Sequence, residues 1–150
     1  MPTREVDLLT DMLRLYSPSG EEANIAEYLA GELEKNNFEV TTDKIGNVFG
    51  IRGSGSPTLL LCGHMDTVPG EIEVKLKGDK LYGRGAVDAK APLASMIMGA
   101  SKIQELKGKI ILACLVDEEG QGKGVKQLIE DKIQTDYAIF GEPSRTWNVT

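Results

Sequence analysis

The sequence predicts an α/β protein with three layers, α/β/α, around a mixed, mostly parallel sheet. Three apolar runs bounded by turn residues have the length and composition of strands buried on both faces, and they cover residues 59–62, 109–116 and 137–140. Segments with helical periodicity lie between these runs, and alternation of strands and helices is typical of layered α/β folds. At 150 residues the chain has the length of a single domain.

Two helices are predicted ahead of the first buried strand. Residues from about 3 to 16 place apolar side chains at helical spacing. Ser19 and Glu22 have the spacing of a capping box, which predicts that a second helix begins there. The pair Asn36-Asn37 is expected to end that helix.

The remaining elements follow from alternation and from breaker residues. Residues 38–42 and 45–52 predict two short strands. An irregular glycine-bearing loop is expected over residues 83–90, and Pro92 opens a long helix that Gly108 closes. A last helix is expected before the third apolar run. The run itself, residues 137–140, is expected to form a short buried strand.

Composition excludes several classes of partner. The net charge of −6 argues against nucleic acid or an anionic membrane. No apolar stretch approaches the length of a membrane span, and the N-terminus has the charged character of a helix rather than of a signal peptide. Cys62 and Cys114 lie inside apolar runs without metal-motif spacing, so we expect buried thiols in a reducing, cytoplasmic compartment.

Ionisable side chains follow each of the three apolar runs. His64, the only histidine, and Asp66 follow the first run, Glu118 and Glu119 follow the second, and Glu142 follows the third. In open α/β sheets, ligands bind beyond the carboxyl ends of the strands. We therefore expect these side chains to converge at one edge of the sheet.

Such a cluster favours a metal ion. With Asp88 from the preceding loop, the crowded carboxylates would repel one another and take up protons unless a cation compensated them. Mixed nitrogen and oxygen ligands suit zinc, with cobalt or manganese as alternatives, whereas a calcium site would use oxygen alone. Asp66 is placed to orient the ring of His64.

Adjacent glutamates point in different directions in extended backbone, so Glu118 and Glu119 are expected to differ in role. One would bind metal and the other would act as a general base, which is the arrangement of metal-assisted hydrolysis. A solvated acidic strand end is the alternative interpretation of this pair.

Four motifs occur in the order His64–Asp66, Gly83–Lys90, Asp117–Gly120 and Gly141–Pro143. Together they resemble the co-catalytic zinc aminoacylase and carboxypeptidase family, which includes acetylornithine deacetylase and succinyl-diaminopimelate desuccinylase. The resemblance runs over essentially the whole chain. Thr67–Gly70 looks most like the acetyl-lysine and acetylornithine deacetylases, among them the enzymes that release lysine or ornithine from an amino-group carrier protein.

The resemblance implies a zinc-peptidase-like catalytic domain with two metal ions in the complete site. The implied ligands are His64, Asp88, Glu119 and Glu142, with Asp88 bridging the ions, His64 and Glu142 completing one site and Glu119 belonging to the other. Glu118 is implied as the general base and Asp66 as the residue that orients His64. A cis peptide bond is implied between Asp88 and Ala89.

The chain also departs from the family. Family members have a second metal-binding histidine near the C-terminus and a separate lid domain that mediates dimerisation. We expect residues 1–150 to be the N-terminal portion of the catalytic domain of a longer, homodimeric enzyme, and to be inactive alone. The implied reaction is deacylation of N-acyl-lysine or N-acyl-ornithine, free or carrier-linked, in lysine or arginine biosynthesis.

Three other functions fit parts of the sequence. A dipeptidase or carboxypeptidase of the same family would use the same residues. A non-enzymatic interaction domain would use the acidic edge to bind a basic partner. The glycine-rich segment Gly120–Gly124 follows a strand as a phosphate loop would, although its spacing matches no nucleotide motif. Arg84 and Lys90 could meet a substrate carboxylate, but buried ion pairs within their loop are the expected role of both.

Overall fold

The computed structural model describes residues 3–143, which form four helices and seven strands. The helices are α1 (Arg4–Arg14), α2 (Ala23–Lys35), α3 (Lys90–Ser101) and α4 (Lys123–Glu130). The strands are β1 (Glu39–Thr42), β2 (Val48–Ser54), β3 (Thr58–His64), β4 (Lys75–Lys77), β5 (Lys80–Tyr82), β6 (Gly108–Leu115) and β7 (Tyr137–Phe140). None of these helices combines the length and the apolar character that crossing a membrane requires.

Five strands form one mixed sheet in the order β1-β2-β6-β3-β7. β3 pairs in parallel with both β6 and β7, whereas β2 pairs antiparallel with both β1 and β6. The parallel half of the sheet brings the carboxyl ends of β3, β6 and β7 to one edge, which we call the carboxyl edge. β4 and β5 form a separate antiparallel hairpin.

Helices cover both faces of this sheet, which confirms the three-layer fold. Alternate side chains of β6 belong to two different cores because successive residues of a strand face opposite sides. One core contains Ile110, Leu112 and Cys114 together with apolar side chains of α1, α2 and α3. The other contains Ile111, Ala113 and Leu115 together with Leu128 of α4. Burial on both faces explains why β6 reads as an unbroken apolar run.

The third apolar run forms a strand, but the prediction that it is buried was wrong. Tyr137, Ile139 and Phe140 are 66%, 53% and 60% exposed. β7 lies at the end of the strand order and pairs only with β3 within residues 3–143. A buried central strand and an apolar edge strand have the same composition, so the sequence alone does not separate them.

The predicted capping box was also wrong. α2 begins at Ala23, and Glu22 occupies the N-cap position without a side-chain capping bond. The hydroxyl of Ser19 instead donates to Asp66, and the Glu22 carboxylate accepts from the amide of Asp117. Contacts with distant segments of the chain have replaced the local bonds that the spacing suggests.

The long helix opened by Pro92 is shorter than expected. It begins at Lys90 and ends at Ser101, so Gly108 does not close it but begins β6. Pro92 fits inside the first turn, where amide groups lack intrahelical partners and the missing N–H costs nothing.

Candidate metal centre

The carboxyl edge is assembled from three strand ends and one loop. His64 is the last residue of β3 and is only 1% exposed. The amide of Met65 donates to the carbonyl of Leu115 over 2.8 Å, so the chain after β3 stays paired with the end of β6. The peptide bond between Asp88 and Ala89 is cis, as the resemblance implied.

The two ring nitrogens of His64 face different groups. Nδ1 lies 2.9 Å from the carbonyl oxygen of Asp66 and 3.2 Å from its carboxylate Oδ1. Both of these oxygens accept only, so Nδ1 donates a proton to them, and Nε2, which faces the other carboxylates, is the nitrogen that a metal would take. Nε2 lies 3.1 Å from Asp88 Oδ1 and 3.8 Å from both Glu118 Oε2 and Glu142 Oε1.

Asp66 is fully buried and joins the strand ends to one another. Its Oδ1 faces Nδ1 of His64 and accepts the amide of Glu118 over 3.0 Å. Its Oδ2 accepts the amide of Glu119 over 3.1 Å and the hydroxyl of Ser19 over 2.6 Å. Burial opposes ionisation, but the hydrogen bonds from His64 and these donors lower the pKa of Asp66 below its ordinary value.

The fit of these residues to a metal ion is close. One potential ligand atom each from His64, Asp88 and Glu119 lies within 4.8 Å of the others. Two ligands held about 2.1 Å from a tetrahedral zinc ion are about 3.4 Å apart. The separations of 3.1 Å to Asp88 and 3.8 Å to Glu142 from His64 Nε2 bracket that value. The donor set is one imidazole with carboxylates, as zinc, cobalt and manganese accept.

The electrostatics also favour a cation. Burial and the neighbouring Asp88 carboxylate raise the pKa of Glu119, with His64 opposing, and burial and the nearby acids likewise raise the pKa of Glu142. Burial by itself would lower the pKa of His64, but the hydrogen bonds to Asp66 and Asp88 outweigh it and raise that pKa to about 9. The raised pKa values of these groups indicate an excess of negative charge at the carboxyl edge, which a bound cation would offset.

The prediction of loop ion pairs for Arg84 and Lys90 was wrong. Lys90, only 1% exposed, donates through Nζ to the carbonyls of Met12 and Leu15 at 3.0 and 2.8 Å. Burial lowers its pKa to about 8. The Nε of Arg84 donates to the carbonyl of Gly70 over 2.6 Å. Within residues 3–143 both cations join backbone segments through carbonyl oxygens, and neither pairs with a carboxylate.

The glycine-rich segment after β6 does not form a phosphate cradle. The amides of Gln121 and Lys123 donate to the Asp117 carboxylate over 3.3 and 3.2 Å. Amides already engaged by a carboxylate are not available to a phosphate, and the carboxylate would repel one. The geometry thus argues against the nucleotide-binding interpretation.

All six candidate residues from the sequence lie at the carboxyl edge. Two contributors to the edge were missed, Ser19 and Glu22, because their spacing had a local explanation as a helix cap. Both are polar residues close to Pro18 and Gly20, a pattern that fits a turn at a site as well as a helix cap. The sequence alone does not distinguish these two roles. Cys62 and Cys114 are buried free thiols, as expected.

Comparisons with known proteins support a family assignment for this geometry. The model of Peptidase family M20/M25/M40 matches residues 60–150. A LysW-lysine/LysW-ornithine hydrolase of Sulfurisphaera tokodaii is 39% identical over 143 residues, which are 95% of this chain and 40% of that protein. A Pyrococcus furiosus protein that carries the same name is 44% identical over 146 residues, which are 97% of this chain and 43% of that protein.

A solved structure gives the same fold. The M20 family metallo-carboxypeptidase Sso-CP2 of Sulfolobus solfataricus superposes with a TM-score of 0.82 at 24% identity, over 95% of this chain and 38% of that chain. The family model confirms the family resemblance seen in the motifs, and the solved structure shows the same fold. The chain spans about two-fifths of the length of these curated relatives, 40% and 43% respectively.

Proposed function

The chain belongs to Peptidase family M20/M25/M40, and from that premise we propose that it is part of a metal-dependent hydrolase of linear amides. The observation that carries the proposal is the convergence of His64, Asp88 and Glu119 to within 4.8 Å at the carboxyl edge. Catalytic groups at that edge are typical of open α/β sheets.

The metal we propose is zinc, with cobalt or manganese as substitutes. His64, Asp88, Glu119 and Glu142 would hold it, two ions filling the complete site. A bound divalent ion polarises a carbonyl and lowers the pKa of water towards about 7. The buried Nδ1 contact with Asp66 keeps the Nε2 of His64 directed at the carboxylates, and metal-binding histidines commonly donate their other ring N–H to a carboxylate in this way.

Glu118 is the proposed general base. Its amide is fixed by Asp66 over 3.0 Å, while its side chain is half exposed and free to face a substrate. Its carboxylate oxygen Oε2 is 3.8 Å from His64 Nε2. A carboxylate that is held beside the ligands without belonging to them can accept a proton and pass it to a leaving amine.

The proposed substrate is lysine or ornithine acylated on an amino group, free or attached to a carrier protein, in lysine or arginine biosynthesis. The support is the name that the relatives at 39% and 44% identity carry, which describes a hydrolase of lysine and ornithine derivatives. A dipeptidase or carboxypeptidase is the second candidate, since the S. solfataricus relative in fold is a metallo-carboxypeptidase.

We further propose that these 150 residues are the N-terminal portion of a catalytic domain. The support is the two-fifths coverage of the curated relatives. A second metal-binding histidine and a lid domain that mediates homodimerisation would lie in the remaining part. The expected consequence is that the 150-residue chain alone does not turn over N-acetyl-lysine or N-acetyl-ornithine; turnover at a rate typical of enzymes contradicts it.

Cobalt substitution tests the proposed ligand set. Cobalt added to the chain should give visible absorption bands characteristic of low-coordinate nitrogen and oxygen ligation, and His64→Ala and Asp88→Asn should abolish them. Asp43→Asn is the matched control, because Asp43 binds the backbone amides of Ile45 to Asn47 and contacts no candidate ligand. Bands that survive in His64→Ala would refute the site as assigned.

A further inference from the structure

The segment between α1 and α2 contacts the candidate metal centre although it lies far from it in sequence. We call residues 17–22 the 17–22 loop. Its backbone pairs with Thr67, whose amide donates to the Ser17 carbonyl over 2.9 Å and whose carbonyl accepts the Ser19 amide over 3.3 Å. Pro18 and Thr67 form an isolated parallel bridge. The loop is thereby fixed next to Asp66 by main-chain bonds.

Ser19 completes the set of donors around the Asp66 carboxylate. Its hydroxyl donates to Oδ2 over 2.6 Å, the shortest of the hydrogen bonds to that carboxylate. The same oxygen accepts the amide of Glu119, and the opposite oxygen faces His64 and accepts the amide of Glu118. A rotation of the carboxylate would therefore disturb the ring of His64 and the turn after β6 together.

Glu22 holds the beginning of that same turn. Its side chain is buried, and its Oε1 accepts the amide of Asp117 over 3.0 Å while its Oε2 accepts the amide of Gly20 over 2.9 Å. The two segments also lie close together. A Cβ at Gly120 would lie 3.2 Å from the Cβ of Ser19 and 2.3 Å from Asp117 Oδ1, so the turn has no room for a side chain there.

We propose that Ser19 and Glu22 are positioning residues of the metal centre. Ser19 sets the orientation of the Asp66 carboxylate, and Glu22 sets the path of the backbone from Asp117 onward. Between them they fix the distance from His64 to the carboxylates of the turn after β6. This inference rests on the proposed function in so far as the positioned groups are metal ligands.

The chain offers a matched control for Ser19. The Ser17 hydroxyl belongs to the same loop and donates to the Met65 carbonyl over 3.0 Å without touching Asp66. Ser17 is fully buried whereas Ser19 is half-buried, so loss of the Ser17 hydroxyl is the more severe test of a merely structural effect. Ser17→Ala and Ser19→Ala each remove one hydroxyl and one hydrogen bond. Ser19→Thr keeps the hydroxyl. Glu22→Gln keeps the shape of the side chain but sets an amide NH2 group, which donates, against one of its two backbone N–H donors.

Zinc affinity is the first readout, measured by competition with a chromophoric chelator. Ser19→Ala and Glu22→Gln should weaken zinc binding about 10- to 100-fold, as the loss of a hydrogen bond that orients the metal ligands typically does. Ser19→Thr should restore most of the affinity. Ser17→Ala should leave it within about two-fold of wild type even if its melting temperature falls. Equal losses of affinity in Ser17→Ala and Ser19→Ala would overturn the inference.

Amide hydrogen exchange in the metal-free chain is the second readout. The amides of Glu118 and Glu119 donate to Asp66, so their exchange should accelerate at least about ten-fold in Ser19→Ala and stay unchanged in Ser17→Ala. Unchanged exchange in Ser19→Ala would overturn the inference whether or not metal binds. If the wild-type chain binds no zinc, the proposed function fails, and exchange alone then decides whether these residues position the turn.

Discussion

Replacement of Asp66 by asparagine tests whether this carboxylate holds the carboxyl edge together. The substitution keeps the size of the side chain but converts one acceptor oxygen into a donor. Either orientation of the amide sets an NH2 group against a backbone amide, that of Glu118 or that of Glu119. Because the residue is fully buried, water does not satisfy the displaced donor.

The expected cost follows from that geometry. A hydrogen bond to a charged group contributes about 1.5–3 kcal/mol, and an unsatisfied buried donor costs about 1–3 kcal/mol. Because the two costs concern the same displaced donor and therefore overlap, we expect Asp66→Asn to lower the free energy of unfolding by about 2–4 kcal/mol. For a domain of this size that corresponds to a fall in melting temperature of about 5–15 °C. Urea denaturation followed by circular dichroism measures the first quantity directly.

Asp43→Asn is the matched control for this experiment as well. The Asp43 carboxylate accepts the side-chain amide of Asn47 in addition to the backbone amides of its own turn. It is half buried, so the loss of stability should be smaller, and zinc affinity should not change. A loss below about 0.5 kcal/mol in Asp66→Asn, or an equal loss of zinc affinity in both variants, would refute the role assigned to Asp66.

Three further predictions concern the core, the thiols and the histidine. Leu112→Ala in the central strand should lower the free energy of unfolding by about 2–5 kcal/mol in urea denaturation, and a change below about 1 kcal/mol would show that this position is not packed as described. Burial raises the pKa of Cys62 to about 12 and that of Cys114 further, so a thiol reagent at pH 8 should modify neither until denaturant is added; rapid modification of the native chain contradicts this. In the metal-free chain, NMR titration of the ring of His64 should give a midpoint near pH 9 rather than 6.5. Since that pKa is raised on folding, its contribution to stability is complete below pH 6.5 and is lost as the pH rises to about 9; a midpoint near 6.5 would contradict it.

The predictable part of the fold is the part whose sequence pattern has one explanation. β3 and β6 are apolar on both faces because helices cover both sides of the sheet, and a long apolar run between turn residues has few other interpretations. β7 has the same apolar pattern but is not buried within residues 3–143. Its four residues are equally apolar, but their position in the strand order, which the sequence does not encode locally, leaves them exposed.

The candidate site was predictable for a related reason. A single histidine and several carboxylates at successive strand ends meet once the strands are parallel, so topology alone brings His64 and Glu142 together. The partners of Lys90 and Ser19 were not predictable. Lys90 meets backbone carbonyls and Ser19 meets a carboxylate, each contributed by a segment at least 47 residues away. Such contacts follow from packing and not from local spacing.

We propose above all that the carboxyl edge of this chain binds a divalent metal. The most direct test is elemental analysis of the chain and of His64→Ala after each has been loaded with zinc and dialysed. We predict about one tightly held zinc ion per chain, lost in His64→Ala, because one of the two implied ions lacks a ligand in these residues. Two ions per chain would show that water or a neighbouring molecule completes the second position. No retained zinc in the wild-type chain, or an equal amount in both proteins, would contradict the claim.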